Sequence, residues 1–285
     1  MRSFGVMLAL AFLVGAHIWT RLMGRFGEDP AGDPERVSSA TLAILIGVVV
    51  GGRAFYVIVE ILRYMSSDDV LSAGYRYIND PVSILKVWEG GLVMYGGFFG
   101  AILLGLWSSR RQGLNPINAL DSALVGGFVG QAVGRIGCLM VGDDFGSVVP
   151  EKWRGLPFPI TVKVPDVLPE GSLFGPENAG QVLWATQIWM SLNALVLGYI
   201  GYRILTRRRY SGQVSLWLVL LYSIGRFVIE AFRGDGIRGV WFDGLVSTSQ
   251  LISIVGFVIA AVLLWRNRER SDAPRTGAPA GEAAA

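Results

Sequence analysis

Long apolar runs, separated by short polar stretches, set the pattern of this chain. Seven reach the length of a membrane-crossing helix, which needs roughly 20 residues. They are Phe4 to Met23, Ser38 to Tyr64, Gly91 to Trp107, Asn118 to Met140, Val182 to Ile204, Val214 to Phe232 and Leu245 to Trp265. The third is short, and the fourth carries Asp121 and Arg135. The first continues through His17-Ile18-Trp19 into Arg21 without a small-residue cleavage site, so it reads as a retained span rather than a signal peptide. The pattern predicts an all-α integral membrane protein of seven transmembrane helices over residues 1–270. The connection 141–181 forms a small external head or lid, with Pro150, Pro157, Pro159, Pro165, Pro169 and Pro176 among β-prone pieces such as Ile160-Thr161-Val162. Residues 271–285, rich in Ala, Pro and Gly, predict a disordered tail.

Basic residues orient the runs. Arg21 and Arg25, Arg110-Arg111, Arg207-Arg208-Arg209, and Arg266, Arg268 and Arg270 follow runs one, three, five and seven. The excess of positive charge marks the cytoplasmic side, which puts the amino terminus outside and the carboxyl terminus in the cytoplasm. Composition agrees with a membrane class: 52% of residues are hydrophobic and 16% charged, against about a quarter charged in soluble domains. No basic stripe interleaved with aromatics lies outside the runs, so nucleic acid is not an expected partner. One cysteine and one histidine, Cys138 and His17, offer no metal-ligand spacing and no nucleophile–base system, and no cofactor is expected. His17 reads as a core or interfacial side chain.

Ionisable residues inside spans cost a few kcal/mol at least, so each is a functional candidate. Arg53 follows Gly51-Gly52, with Glu60 seven residues on. Arg135 lies in Gly134-Arg135-Ile136-Gly137. Arg226 and Glu230 are spaced i,i+4, and Arg233 continues the same helical stripe. Guanidinium stays charged when desolvated and grips phosphate with two donors, and glycine lets a backbone or ligand approach closely. Arg135 and Arg226, beside such glycines, point to an anionic lipid or phosphorylated substrate. Arg53 and Arg233 serve as well as structural ion-pair partners. Tyr95 stands between Gly90-Gly91 and Gly96-Gly97, a stretch that by itself reads as a helix-packing face with Tyr95 in the aromatic belt.

These blocks, Trp88-Glu89-Gly90-Gly91-Leu92 with Tyr95-Gly96-Gly97, Gly134-Arg135-Ile136-Gly137 through Gly142 to Gly146, and Gly225-Arg226 through Glu230 to Arg233 followed by Gly244 to Gln250, resemble the bacterial prolipoprotein diacylglyceryl transferases. The resemblance spans nearly the whole chain. It implies a seven-span inner-membrane enzyme that moves the diacylglyceryl group of phosphatidylglycerol onto the lipobox cysteine of prolipoprotein signal peptides. It implies that Arg135 and Arg226 hold the lipid phosphate, that Glu230 and Arg233 orient them, and that Arg53 supports the pocket. Tyr95 and Asp143 would line the approach of the thiol, and Gly134, Gly137, Gly96 and Gly97 would border the substrate.

The chain departs from the family's pattern at four places. Tyr95 stands for a histidine, Cys138 for an asparagine, Asp143 for a glutamate, and Trp184-Ala185-Thr186-Gln187 for His-Pro-Thr-Gln. A phenol of pKa about 10 is a poor base at neutral pH, so the phosphate-binding half of the expectation carries over better than the proton-transfer half. A divergent paralogue, a transporter of an anionic lipid or solute, and a scaffold locked by arginine–glutamate pairs stay open on the residues alone.

Overall fold

The computed structural model describes residues 2–67, 73–234, 240–241 and 246–271, with backbone only for Arg2, Ser67, Glu89, Met94, Tyr95, Val240 and Trp241. The expected tail beyond Ser271, and Gly244-Leu245 of the third sequence block, lie outside the described residues. The chain divides into two compact units, Met1–Pro30 with Ile117–Ala285, and Ala31–Pro116.

In the first unit the helices are α1 (Arg2–Phe26), then α5 (Pro116–Val141), α6 (Thr186–Leu205), α7 (Gln213–Glu230) and α8 (Thr248–Arg266). The second unit holds α2 (Asp33–Ser67), α3 (Ala73–Asn79) and α4 (Met94–Arg111). Six of these, α1, α2, α5, α6, α7 and α8, are long and apolar enough to cross a membrane. Six is one fewer than the seven apolar runs. The difference is α4, 18 residues long, whose apolar stretch from Phe98 to Trp107 is followed by Ser108-Ser109-Arg110-Arg111. The fifth run also starts later than its apolar residues do. Val182–Trp184 forms strand β2, paired antiparallel with β1 (Thr161–Lys163), and the helix begins only at Thr186. His17 is exposed on α1, not in the core.

The β1–β2 ribbon anchors the connection after α5. Val164, Phe174 and Leu183 form its small core, with Phe145, Val162 and Leu168 packed against them. A second two-stranded ribbon joins β3 (Val240–Trp241) to β4 (Val246–Ser247). Ser247 then caps α8: its hydroxyl accepts from the Gln250 N–H, and the Gln250 side chain accepts from the Ser247 N–H. That reciprocal pair satisfies two donors at the helix start.

The second unit depends on glycine. A Cβ on Gly100 would stand 2.1 Å from the Gly47 carbonyl oxygen, and one on Gly51 would stand 2.3 Å from that of Gly96. The order of these meetings makes α2 and α4 antiparallel, backbone against backbone. In lipid, where hydrophobicity no longer drives association, such close packing holds helices together.

The first unit has an apolar core of Leu22 and Phe26 of α1, Val125 of α5, Leu197 and Leu205 of α6, and Val214 and Leu218 of α7. Beside it lies a fully buried charge. Asp121, near the start of α5, accepts from Arg208 Nη1 at 3.2 Å, the Gly212 N–H at 2.8 Å, and the Ser215 N–H and hydroxyl at 2.8 and 2.6 Å. One carboxylate thereby pairs with a guanidinium and satisfies donors at the opening of α7. Arg208 Nη2 also donates to the Phe26 carbonyl at 3.0 Å, which ties in the end of α1.

Two stability effects follow. Gly100→Leu should lower the melting temperature of purified protein in detergent, because overpacking costs about 1–3 kcal/mol or more. Gly127→Ala, where a Cβ meets nothing within 4 Å, should leave it equal or higher. Asp121→Ala should cost about 3–5 kcal/mol by stranding Arg208, and a melt unchanged from wild type would remove Asp121 from that role.

Candidate active site

At the other end of α5 the chain must leave the helix and return. The Gly142 N–H and the Asp143 N–H both donate to the Cys138 carbonyl, at 2.9 Å each, and Gly142 takes φ 78°, a left-handed stop that glycine adopts without strain. Asp144 also takes a left-handed backbone, φ 54°, which is uncommon for a residue with a side chain. Neighbouring side chains hold it there. The Thr186 hydroxyl donates to the Asp144 carbonyl at 2.9 Å, and Gln187 Nε2 donates to the Asp143 carbonyl at 3.0 Å. The following residues pair with the chain after α7: the Ser147 N–H donates to Phe232 O at 2.8 Å, and the Gly234 N–H to Phe145 O at 3.0 Å.

This turn aims Asp144 back at the helices. Its Oδ2 accepts from Arg135 and its Oδ1 from Arg233, so one carboxylate bridges two guanidiniums. On α7, Arg226 Nη2 lies 2.7 Å from Glu230 Oε2, the i,i+4 pair expected from spacing, and Arg233 Nη1 lies 3.8 Å from the same oxygen. Arg226 also donates to Ser249 Oγ of α8 at 3.0 Å and to Met190 Sδ of α6 at 3.3 Å. The ends of α5 and α7 and the starts of α6 and α8 thus converge on three arginines and two carboxylates.

The guanidiniums differ in what they still have to offer. Arg135 Nη1 is engaged with Asp144 and, at 3.9 Å, with the Cys138 sulfur. A guanidinium carries five N–H donors, and among the described residues Nε and Nη2 of Arg135 have no protein acceptor. Arg53, in the second unit, is spent: it donates to the carbonyls of Ile84 at 2.8 Å, Gly90 at 2.6 Å, Gly91 at 3.2 Å and Ser83 at 3.0 Å. It fastens segment 83–91 to α2, with Tyr56 and Tyr77 against its face. Glu60, on the same helix, pairs with Arg63.

Gly134 and Gly137 face α1, where a Cβ would meet Ala11 at 3.6 Å and Met7 at 2.8 Å. Gly96 and Gly97 face α2. Tyr95 begins α4, and its side chain lies outside the described residues. Three contributors had no role in the sequence reading: Asp144, Ser249 and Met190. Asp144 is nine positions from Arg135 across a helix end and 89 from Arg233, separations that no periodicity connects.

The two aspartates are pushed apart electrostatically. Burial raises Asp143, and the adjacent Asp144 charge raises it further. Burial would raise Asp144 too, but Arg135 and then Arg233 outweigh it and hold that carboxyl below its ordinary value. A depressed carboxyl contributes stability above its unfolded pKa that is lost as pH falls through the folded one. Asp143, shifted the other way, contributes stability at low pH that is lost as pH rises through its raised pKa. Melting curves from pH 3 to 7 should therefore show acid destabilisation that Asp144→Asn diminishes and Asp143→Asn does not.

Residues 1–266 match the prolipoprotein diacylglyceryl transferase family. The phosphatidylglycerol–prolipoprotein diacylglyceryl transferase of Gloeobacter violaceus is 28% identical over 270 residues, 93% of this chain and 91% of that one. The protein of the same name in Geobacter sulfurreducens is 29% identical over 273 residues, covering 94% and 92%. That of Wolbachia pipientis from Culex pipiens is 32% identical over 222 residues, covering 76% and 73%. With apolar helices suited to a membrane and arginines converging at their ends, the chain belongs to the prolipoprotein diacylglyceryl transferase family.

Proposed function

We propose that this chain transfers the diacylglyceryl group of phosphatidylglycerol to the lipobox cysteine of a prolipoprotein in a bacterial membrane, the first step of lipoprotein maturation. The family and the names of its relatives support the reaction. The observation that carries it to particular residues is the convergence of Arg135, Arg226 and Arg233, with unspent donors on Arg135. The substrate thiol attacks the glycerol carbon bearing the phosphodiester. A carbon–sulfur bond forms, the carbon–oxygen bond to phosphate breaks, and glycerol phosphate leaves with the bonding pair. Negative charge grows on that phosphate, and guanidiniums already in place stabilise it without reorganising.

Arg135 and Arg226 hold the phosphate, and Glu230 and Arg233 fix their directions. Asp143 lines the approach of the thiol, and a carboxylate there is able to take the thiol proton. From its place in the sequence between the Gly90-Gly91 and Gly96-Gly97 pairs, Tyr95 is a candidate to line the thiol's approach, and Arg53 supports that stretch. Gly134 and Gly137 keep the backbone around Arg135 close to its neighbours. Within this reading α4 is a seventh span. Its 18 residues reach about 27 Å, close to the hydrocarbon thickness of about 30 Å, and it runs antiparallel to α2. The amino terminus is external and the carboxyl terminus cytoplasmic, with residues 141–181 as the external head and Arg110-Arg111, Arg207-Arg208-Arg209 and Arg266 on the inside.

Purified protein incubated with phosphatidylglycerol and a lipobox peptide should yield a diacylglyceryl thioether detectable by mass spectrometry. Arg135→Ala and Arg226→Ala should each lower the rate about 10²–10³-fold. Full activity of both in normally inserted protein would end the phosphate role. Reporter fusions at the carboxyl terminus should be active only in cytoplasmic format.

A further inference from the structure

Asp144 is the anionic partner that Arg135 and Arg233 share. Its two oxygens are divided between Arg135 and Arg233. A phosphodiester offers the same arrangement, two oxygens sharing one negative charge, and the guanidinium fork accepts either group. Resting on the reading of Arg135 as a phosphate ligand, we propose that Asp144 is a resident competitor for the lipid headgroup and so determines which ligands the arginines accept.

Accessibility and bonding both favour this exchange. The Asp144 side chain is 22% exposed, against 9% for Arg233 and 2% for Glu230. Asp144 is the member of the cluster able to turn outward into water, while Glu230 is fixed. When Asp144 leaves, Arg233 keeps Glu230 as a counter-charge and Arg135 is the group left to be neutralised. Breaking a largely desolvated pair is costly unless another anion replaces the lost one. The exchange is therefore even for a phosphodiester and uphill for a neutral lipid, which would strand Arg135. The anchoring of the turn by Thr186 and Gln187 through backbone carbonyls leaves the Asp144 carboxylate itself without a third tether among the hydrogen bonds of the described residues.

The test compares wild type, Asp144→Asn, Asp144→Gly and Arg135→Ala in neutral-detergent micelles, titrated calorimetrically with short-chain phosphatidylglycerol. A parallel titration uses the soluble headgroup analogue glycerol 1-phosphate. Asn and Gly both tolerate the left-handed backbone at this position, so the fold is kept, and thermal melts verify it. With the competitor removed, both Asp144 variants should bind phosphatidylglycerol about tenfold tighter, about 1.4 kcal/mol. Glycerol 1-phosphate should gain by a similar factor, since the shared phosphate is what competes; a gain for the lipid alone would overturn the competitor role. A merely structural residue would weaken binding when replaced. If Arg135→Ala weakens binding while the folded Asp144 variants bind equally or less tightly than wild type, the competitor role is wrong and the phosphate seat stands. If Arg135→Ala binds as wild type does, the phosphate seat itself is wrong, and this inference falls with it.

Discussion

A guanidinium among apolar helices is borne at tolerable cost only when acceptors stand beside it, a carboxylate or a set of backbone carbonyls. That requirement organises the first unit at both ends of α5. At one end Asp121 meets Arg208 and the opening of α7. At the other, Asp144 meets Arg135 and Arg233, and Glu230 meets Arg226. Each α-helix described in this unit is attached to one of the two clusters, α1 through the Phe26 carbonyl and α8 through Ser249.

The two ends differ in a way that matters for chemistry. Asp121 accepts four hydrogen bonds, and the side chains of the pair are 0% and 1% exposed. Nothing there is available to a ligand, and the pair acts as a lock. The Arg135 end is partly open, with side chains 19% and 22% exposed, and its donors are incompletely used. A charge cluster that is paired but not saturated can exchange a partner, and exchange of anions is what binding a phosphodiester needs. The second unit solves a different problem. Its glycines bring α2 and α4 into backbone contact, and Arg53 spends its donors tying a strap of carbonyls to the helix.

Much of this was legible from local patterns. The membrane class, the rough extent of the helices and the Arg226–Glu230 pair follow from apolar run length and from the i,i+4 spacing of a helix, which are short-range rules. The family resemblance rested on contiguous blocks around Arg135 and Arg226 and was visible for the same reason. Boundaries were less legible where tertiary pairing overrode composition. Val182–Trp184 is apolar enough to begin a helix but is drawn into a strand by its partner Thr161–Lys163.

By itself, then, the sequence determined that α-helices cross a membrane and that Arg135, Arg226 and Glu230 lie near helix ends, because periodicity and apolar length are properties of neighbours along the chain. Which carboxylate neutralises which arginine was decided only by tertiary structure. Arg208 and Asp121 are 87 residues apart, and Arg233 and Asp144 are 89 apart. Charge pairing acts through space over a few ångströms, and only the folded arrangement of helix ends brings such distant residues within that range.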